Sequence, residues 1–369
     1  GAVVLANYSE RVGSAAHIEY YIKILKQKTI QRDLISASYA ILKEAFDDSV
    51  AVDDLIDMAQ SKVYDAVQNN VRKDVQEIGS VLNDVISDIQ ERQDETGLSG
   101  VPSGFPTLDA VTQGWQPSDL IILAARPSVG KTAFSLNIAR NAAVDHHMPV
   151  AFFSLEMSAK QLAKRLAISE TGLSGDKIKG AIRLENYEWE QLEYKIKDLA
   201  KAPLYIDDTP GLSILDVRSR ARRLQAEDGL DFIVIDYLQL MQGTAGRKNN
   251  DNRQQEVTEI SRGLKSLARE LGVPVLALSQ LSRSVETRQS KQPMLSDLRE
   301  SGSLEQDADI VMFLYREDYY KSADDTPSHI TELIVAKHRN GPTGRVTLFF
   351  KEDCTKFISL TRRRKHSHA

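Results

Sequence analysis

Residues 119–132 read DLIILAARPSVGKT, and this stretch decides the fold. Residues 119–125 form an apolar run of the kind that fills a parallel strand buried on both faces. A short loop follows, and from Thr132 the sequence TAFSLNIA reads as a helix. Strand, loop and helix in that order carry the phosphate-binding pattern G-x-x-x-x-G-K-[ST], with Ala125 in place of the first glycine. Backbone N–H groups of such a loop and of the first helical turn face a phosphate group. Gly130 lets the backbone approach closely. Lys131 is expected to reach the β- and γ-phosphates of a nucleotide, and Thr132 to hold Mg²⁺ through its hydroxyl. The competing reading is a chance Gly-Lys-Thr at a helix start, and the order of the flanking elements argues against it.

Outward from the loop, short apolar runs recur at 150–154 (VAFFS), 232–236 (FIVID), 275–279 (VLALS) and 310–315 (IVMFLY). Helical stretches separate them near 131–145, 158–171, 214–227 and 253–271. The alternation predicts an open, mainly parallel sheet covered by helices on both faces. TELIVA, RVTLFF and KFISL, within 330–360, predict antiparallel strands added at one edge. Ligands of such sheets bind at the carboxyl ends of the strands. Asp236 ends FIVID and is placed to support Thr132 or to bind Mg²⁺ through water. Glu156 follows VAFFS and is either a base that polarises water in line with the γ-phosphate or a surface glutamate at a helix N-terminus. Gln280 follows VLALS and is either a γ-phosphate sensor or a capping residue.

Residues 16–92 read as helical throughout, with apolar residues spaced by three and four. The clearest stripe is Val75, Ile78, Leu82, Val85 and Ile89, on a helix around 74–91. A stripe of this kind packs on its own domain or on a partner subunit. Residues 93–107, QDETGLSGVPSGFPT, are rich in Gly, Pro and Ser and mark a linker and domain boundary.

Composition sets the outer limits. The 369 residues leave room for about two domains. No apolar run reaches membrane-spanning length and no secretory leader opens the sequence, so neither is expected. One cysteine, Cys354, excludes a disulfide framework and a Cys-rich zinc site, and a cytoplasmic setting is expected. The seven histidines show no metal-binding spacing, and His146-His147 reads as structural. The net charge of −5 argues against a protein that coats nucleic acid through bulk positive charge, although a local basic site is compatible with it.

Six separated blocks now occur in one order: ARPSVGKTAFSLNIA, FFSLEMS, IVIDYLQLM, LSQLSRSVE, SDLRESGSLEQDAD and AKHRNGPTG. Together they resemble the bacterial and phage replicative DNA helicases of the DnaB family, over about residues 100–360. The resemblance implies a RecA-like α/β P-loop ATPase, preceded by a small all-α domain and a linker helix. It divides the chain into part of a helical collar (1–70), a linker (71–99) and the motor (100–369). The first helices of the family's collar are expected to be missing.

The resemblance also implies a ring hexamer that hydrolyses ATP, with Mg²⁺, at subunit interfaces. It implies translocation 5′ to 3′ on single-stranded DNA, with primase and a helicase loader as partners. Ser128, Gly130, Lys131, Thr132, Ala133 and Arg165 then contact the nucleotide. Glu156 is the catalytic base and Asp236 the second Mg²⁺ residue. Lys337 and Arg339 become a finger that reaches into the neighbouring subunit's site, where a cation stabilises charge on the phosphoryl oxygens. Without the resemblance they read as a solvated basic hairpin. Arg299, Glu300 and Gly302 are expected to hold the DNA backbone, by sequence-independent and salt-sensitive contacts.

The loop 242–255, with Arg247, Lys248 and Arg253, is either a second DNA contact or a plain connection. The basic tail Arg362-Arg363-Arg364-Lys365 touches DNA or a partner, or is simply solvated. Two rivals stand beside the helicase reading. One is a strand-exchange ATPase, which needs a filament-forming element. The other is an ATP-switched scaffold, which needs no Glu156.

Overall fold

The computed structural model describes residues 18–47, scattered positions between 52 and 86, and then 98–180, 182–242, 253–320 and 326–360. The chain forms two compact units, Gly1–Glu95 and Thr96–Ala369. In the first, Ile18–Ala45 is one continuous helix. Ile78 and Leu82 of the predicted stripe are helical, while Val75, Val85 and Ile89 lie outside the described residues.

The second unit is built on nine strands. They are β1 (Leu120–Ala125), β2 (Val150–Ser154), β3 (Leu204–Asp207), β4 (Phe232–Asp236), β5 (Val275–Gln280), β6 (Ile310–Tyr315), β7 (Ile330–His338), β8 (Gly344–Lys351) and β9 (Lys356–Ser359). They form one sheet in the order β3-β2-β4-β5-β1-β6-β7-β8-β9. β1 to β6 pair in parallel, and β7 to β9 add antiparallel strands at one edge. The sequence anticipates this architecture except for β3 and the helices Pro106–Thr112, Gly175–Lys179, Asn186–Lys201, Ser284–Thr287 and Gly302–Asp307.

Every residue of β1 is buried. Alternation along the strand sends Ile121, Leu123 and Ala125 to one face and Leu120, Ile122 and Ala124 to the other. The first face packs on the helices Lys131–Arg140 and Ala159–Thr171, through Phe134, Leu136, Leu162 and Leu166. The second packs on Ile214–Glu227 and Arg253–Leu271, through Val217, Ala221, Ile260 and Leu264. Each of the larger side chains is worth about 1.5–3 kcal/mol when fully buried, so a two-sided core leaves polar chemistry only at the strand ends.

Candidate functional site

The loop after β1 makes two turns that favour special backbone geometry. Gly130 caps the helix Lys131–Arg140 at φ 111°, and Ser128 sits at φ 64°. A side chain at Gly130 would meet the ring of Phe357 at 3.1 Å. Ala125 has no positive φ; it is the last residue of β1 and pairs with Gln280. The first glycine of the motif is therefore dispensable here, because its position is ordinary strand. The helix N-terminus presents unpaired first-turn N–H groups toward the same space.

Thr132 donates its hydroxyl to Asp236 Oδ2 at 2.7 Å, joining the loop to the end of β4. Asp236 is fully buried, and its Oδ1 accepts no hydrogen bond among the described residues. Burial pushes the Asp236 carboxyl above its ordinary range, against the pull of Lys131 and the Thr132 hydroxyl. Burial likewise lowers Lys131, against Asp236 and Glu156. The Lys131 ammonium rests over the Tyr237 ring, 4.5 Å from its centre. β5 lies between β1 and β4 and carries Gln280 into the gap.

Glu156 lies in the turn between β2 and the helix Ala159–Thr171. That helix is capped by Ser158, so Glu156 falls outside it and is not a first-turn residue. Its neighbour Leu155 donates to the Asp236 carbonyl at 2.7 Å, which ties the ends of β2 and β4 together.

One pocket of about 260 Å³ gathers Ser128, Gly130, Lys131, Thr132, Ala133, Glu156, Arg165 and Gln280. Asp236 joins it through Thr132. Sequence reasoning missed Arg126, Tyr237, Phe350 and Thr355, which also line it. Tyr237 follows Asp236 directly and could have been suspected. Phe350 and Thr355 arrive from β8 and the turn before β9, with no local signal to announce them. Gln239 was missed as well: its amide donates to Ser279 Oγ at 2.9 Å and its oxygen accepts from Gln280 N at 3.3 Å.

Lys337 and Arg339 lie elsewhere. His338 pairs with Ile310 at the start of β6, so both cations stand at the amino edge of the parallel strands, opposite the loop. β1 alone spans about 20 Å between the two edges. Lys337 is not solvated: its ammonium donates to the carbonyls of Glu305 at 2.6 Å and Ala308 at 2.7 Å. Arg299 and Glu300 lie in the 3-10 segment Leu295–Ser301, and Gly302 opens the helix Gly302–Asp307. Arg253 opens the helix Arg253–Leu271. Arg247, Lys248 and the tail 361–369 fall outside the described residues.

No helix among the described residues is long and apolar enough to cross a membrane. No group of three or more His, Cys, Asp or Glu among them could hold a metal ion by itself. The Thr132 hydroxyl and the unpartnered Asp236 Oδ1 nevertheless fit a divalent cation that arrives with a nucleotide.

Comparison with known proteins agrees with this geometry. Residues 100–359 match the family described as DnaB-like helicase C terminal domain. The replicative DNA helicase DnaB of Geobacillus stearothermophilus is 47% identical over 364 residues, covering 98% of this chain and 79% of that protein. The replicative DNA helicase DnaC of Bacillus subtilis is equally similar, at 47% over the same shares. Among solved structures, one of an ATPase domain is 43% identical with a TM-score of 0.72, covering 78% of this chain and 100% of that one. A DnaB-like replicative helicase, solved in a study of its interactions with primase, is 37% identical with a TM-score of 0.77, covering 98% of this chain and 83% of that one. The chain belongs to the DnaB family of replicative DNA helicases, which are driven by ATP.

Proposed function

We propose that this helicase hydrolyses ATP between neighbouring subunits of a homohexameric ring and moves 5′ to 3′ along single-stranded DNA at the replication fork, in the cytoplasm. One observation carries the reading: Lys131, Thr132, Glu156 and Gln280 share one pocket, while Lys337 and Arg339 stand at the opposite edge of the same sheet. A cation at that edge serves a second subunit's pocket, because the full strand length separates it from its own.

In this reading Ser128, Gly130, Lys131, Thr132, Ala133 and Arg165 bind the nucleotide. Glu156 takes the proton from the attacking water. Gln280 reports the γ-phosphate to the segment that follows it, and Gln239 holds Gln280 in place. Thr132 and Asp236 hold Mg²⁺, which neutralises charge on the phosphate oxygens when bound. Arg339 and Lys337 of one subunit stabilise the charge that develops in the next subunit's site. Arg299, Glu300, Gly302 and Arg253 hold the DNA backbone. Residues 1–70 form part of a collar, 71–99 a linker, and 100–369 the motor; primase and a loader dock on the assembled ring.

Strand displacement on forked DNA tests the motor and its direction together. With ATP and Mg²⁺, forks carrying a free 5′ tail are unwound and forks with only a 3′ tail are not. Unwinding from the 3′ tail alone overturns the polarity. Sedimentation at working concentration should give six subunits per particle, and a monomer that remains fully active overturns the ring.

A further inference from the structure

At the amino edge of the sheet, Arg339 is joined to two charged residues, Asp309 and Lys265, to which the sequence assigns no role. Asp309 immediately precedes β6, and its side chain is 4% exposed. Its Oδ2 accepts from the backbone N–H of Leu120 at 2.8 Å and from the Lys265 ammonium. Its Oδ1 faces Arg339 Nη1 at 3.3 Å. Its carbonyl accepts from the backbone N–H of Arg339 at 2.9 Å. One aspartate therefore grips both the main chain and the guanidinium of Arg339, while being anchored to the first residue of β1.

Lys265 completes the arrangement. It lies on the helix Arg253–Leu271 and also donates to the carbonyl of Ser118 at 2.8 Å. Its ammonium and the Arg339 guanidinium thus meet the two oxygens of one carboxylate. Arg339 is half exposed, and its Nη2 adds a contact to the Gln306 carbonyl at 3.4 Å. A guanidinium has five N–H donors, so most remain for an incoming phosphate oxygen. A free arginine of this exposure would sample many rotamers and would have to be ordered anew in every catalytic cycle.

The geometry points to Asp309 as the positioning residue for Arg339, with Lys265 as its counter-charge: together they preset the finger that completes the neighbouring subunit's site. This inference rests on the reading of Arg339 as a finger acting in trans. It adds that the finger's posture is fixed from within its own subunit, by a residue that touches no nucleotide. The helices that share the work are those that open at Arg253 and at Gly302, since the Gln306 carbonyl belongs to the second.

The test is complementation in mixed rings. Asp309→Asn keeps size and one acceptor but removes the charge, and should lower kcat for ATP hydrolysis ten-fold or more with KM unchanged. Lys131→Ala subunits have a dead pocket and an intact finger. Mixing them with Asp309→Asn subunits should restore turnover, because the intact fingers serve the intact pockets. Arg339→Ala mixed with Lys131→Ala is the control and should also restore turnover.

If the control restores turnover and Asp309→Asn does not, Asp309 acts on its own pocket and the inference falls while the finger stands. If neither mixture restores turnover, the trans finger itself falls. Unaltered kcat for Asp309→Asn alone also overturns the inference. Should Asp309→Asn fail to fold, as judged by thermal melting, Lys265→Gln leaves the Leu120 anchor in place and takes the same three measurements. Asp309→Asn added to Arg339→Ala should cost nothing further; an additive loss counts against a shared role.

Discussion

The two edges of the motor's sheet are built on opposite terms. At the carboxyl edge, some functional groups keep open positions: Asp236 Oδ1 is buried without a hydrogen bond among the described residues, Glu156 is exposed, and Lys131 rests on a ring face. At the amino edge, the cations are tied down, Lys337 by helix carbonyls and Arg339 by Asp309. An unpartnered buried acceptor costs about 1–3 kcal/mol, which a cation arriving with a nucleotide would recover. In the proposed reading the carboxyl edge is completed by its ligand, whereas the amino edge is already bonded within its own subunit. A residue that works on a neighbour benefits from being finished in advance.

The sharpest way to break this comparison is Arg339→Ala. Turnover should fall by about 10³–10⁵-fold, the range of a finger supplied in trans, with nucleotide affinity nearly kept. Mixing the variant with Lys131→Ala subunits, whose fingers are intact, should restore turnover, and no recovery contradicts action on a neighbour.

Glu156→Gln tests the other edge. The amide keeps the shape and removes the base, so kcat should fall by about 10²–10⁴-fold while ATP still binds, as measured by equilibrium binding of labelled nucleotide. Turnover at the original rate would remove Glu156 from the chemistry.

Asn137→Ala asks how much the pocket depends on its far wall. Asn137 Oδ1 accepts from the backbone N–H of Phe357 at 2.7 Å, a buried bond. Its loss strands that donor, and stability should drop by about 1–3 kcal/mol in chemical denaturation, with weaker nucleotide binding as β9 loosens.

The smallest effect belongs to Asp119, beside Asp309. Burial, reinforced by the charge of Asp309, pushes its carboxyl up to about 6, against Lys265 and Arg339. A folded pKa above the unfolded one means that the folded state holds the proton more firmly, so its charge costs stability as pH rises from about 4 through 6. Asp119→Asn should therefore stabilise the protein above pH 6 and lose that advantage below about pH 4. Discounted for solvent screening, the gain is about 1 kcal/mol, or ~2–4 °C in Tm, read by melting at pH 5 and pH 8. An advantage that grows toward low pH would reverse the sign.

Much of the carboxyl edge was legible in the sequence because its parts are strand ends. Asp236, Glu156 and Gln280 each follow a buried apolar run, and burial periodicity is a local signal. β3 escaped because it has four residues, follows Pro203 and is only half-buried, so it forms no apolar run. Phe350, Thr355 and the Asn137–Phe357 bond escaped because their partners lie far along the chain. The grip on Lys337 is illegible for another reason. Its acceptors are main-chain carbonyls, which every residue carries, so only the fold selects them.

The contact between Phe357 and the phosphate loop has a consequence in time. Asn137 and Phe357 are 220 residues apart in the chain. At translation rates of about 5–20 residues per second, the loop and its helix leave the ribosome roughly ten to forty seconds before the strand that closes over them. Through that interval the motor can collapse around β1 to β6, but its nucleotide pocket lacks a wall. The nucleotide pocket therefore gains the wall formed by Phe350 and Thr355 only after its loop, its helix and the six parallel strands have been made.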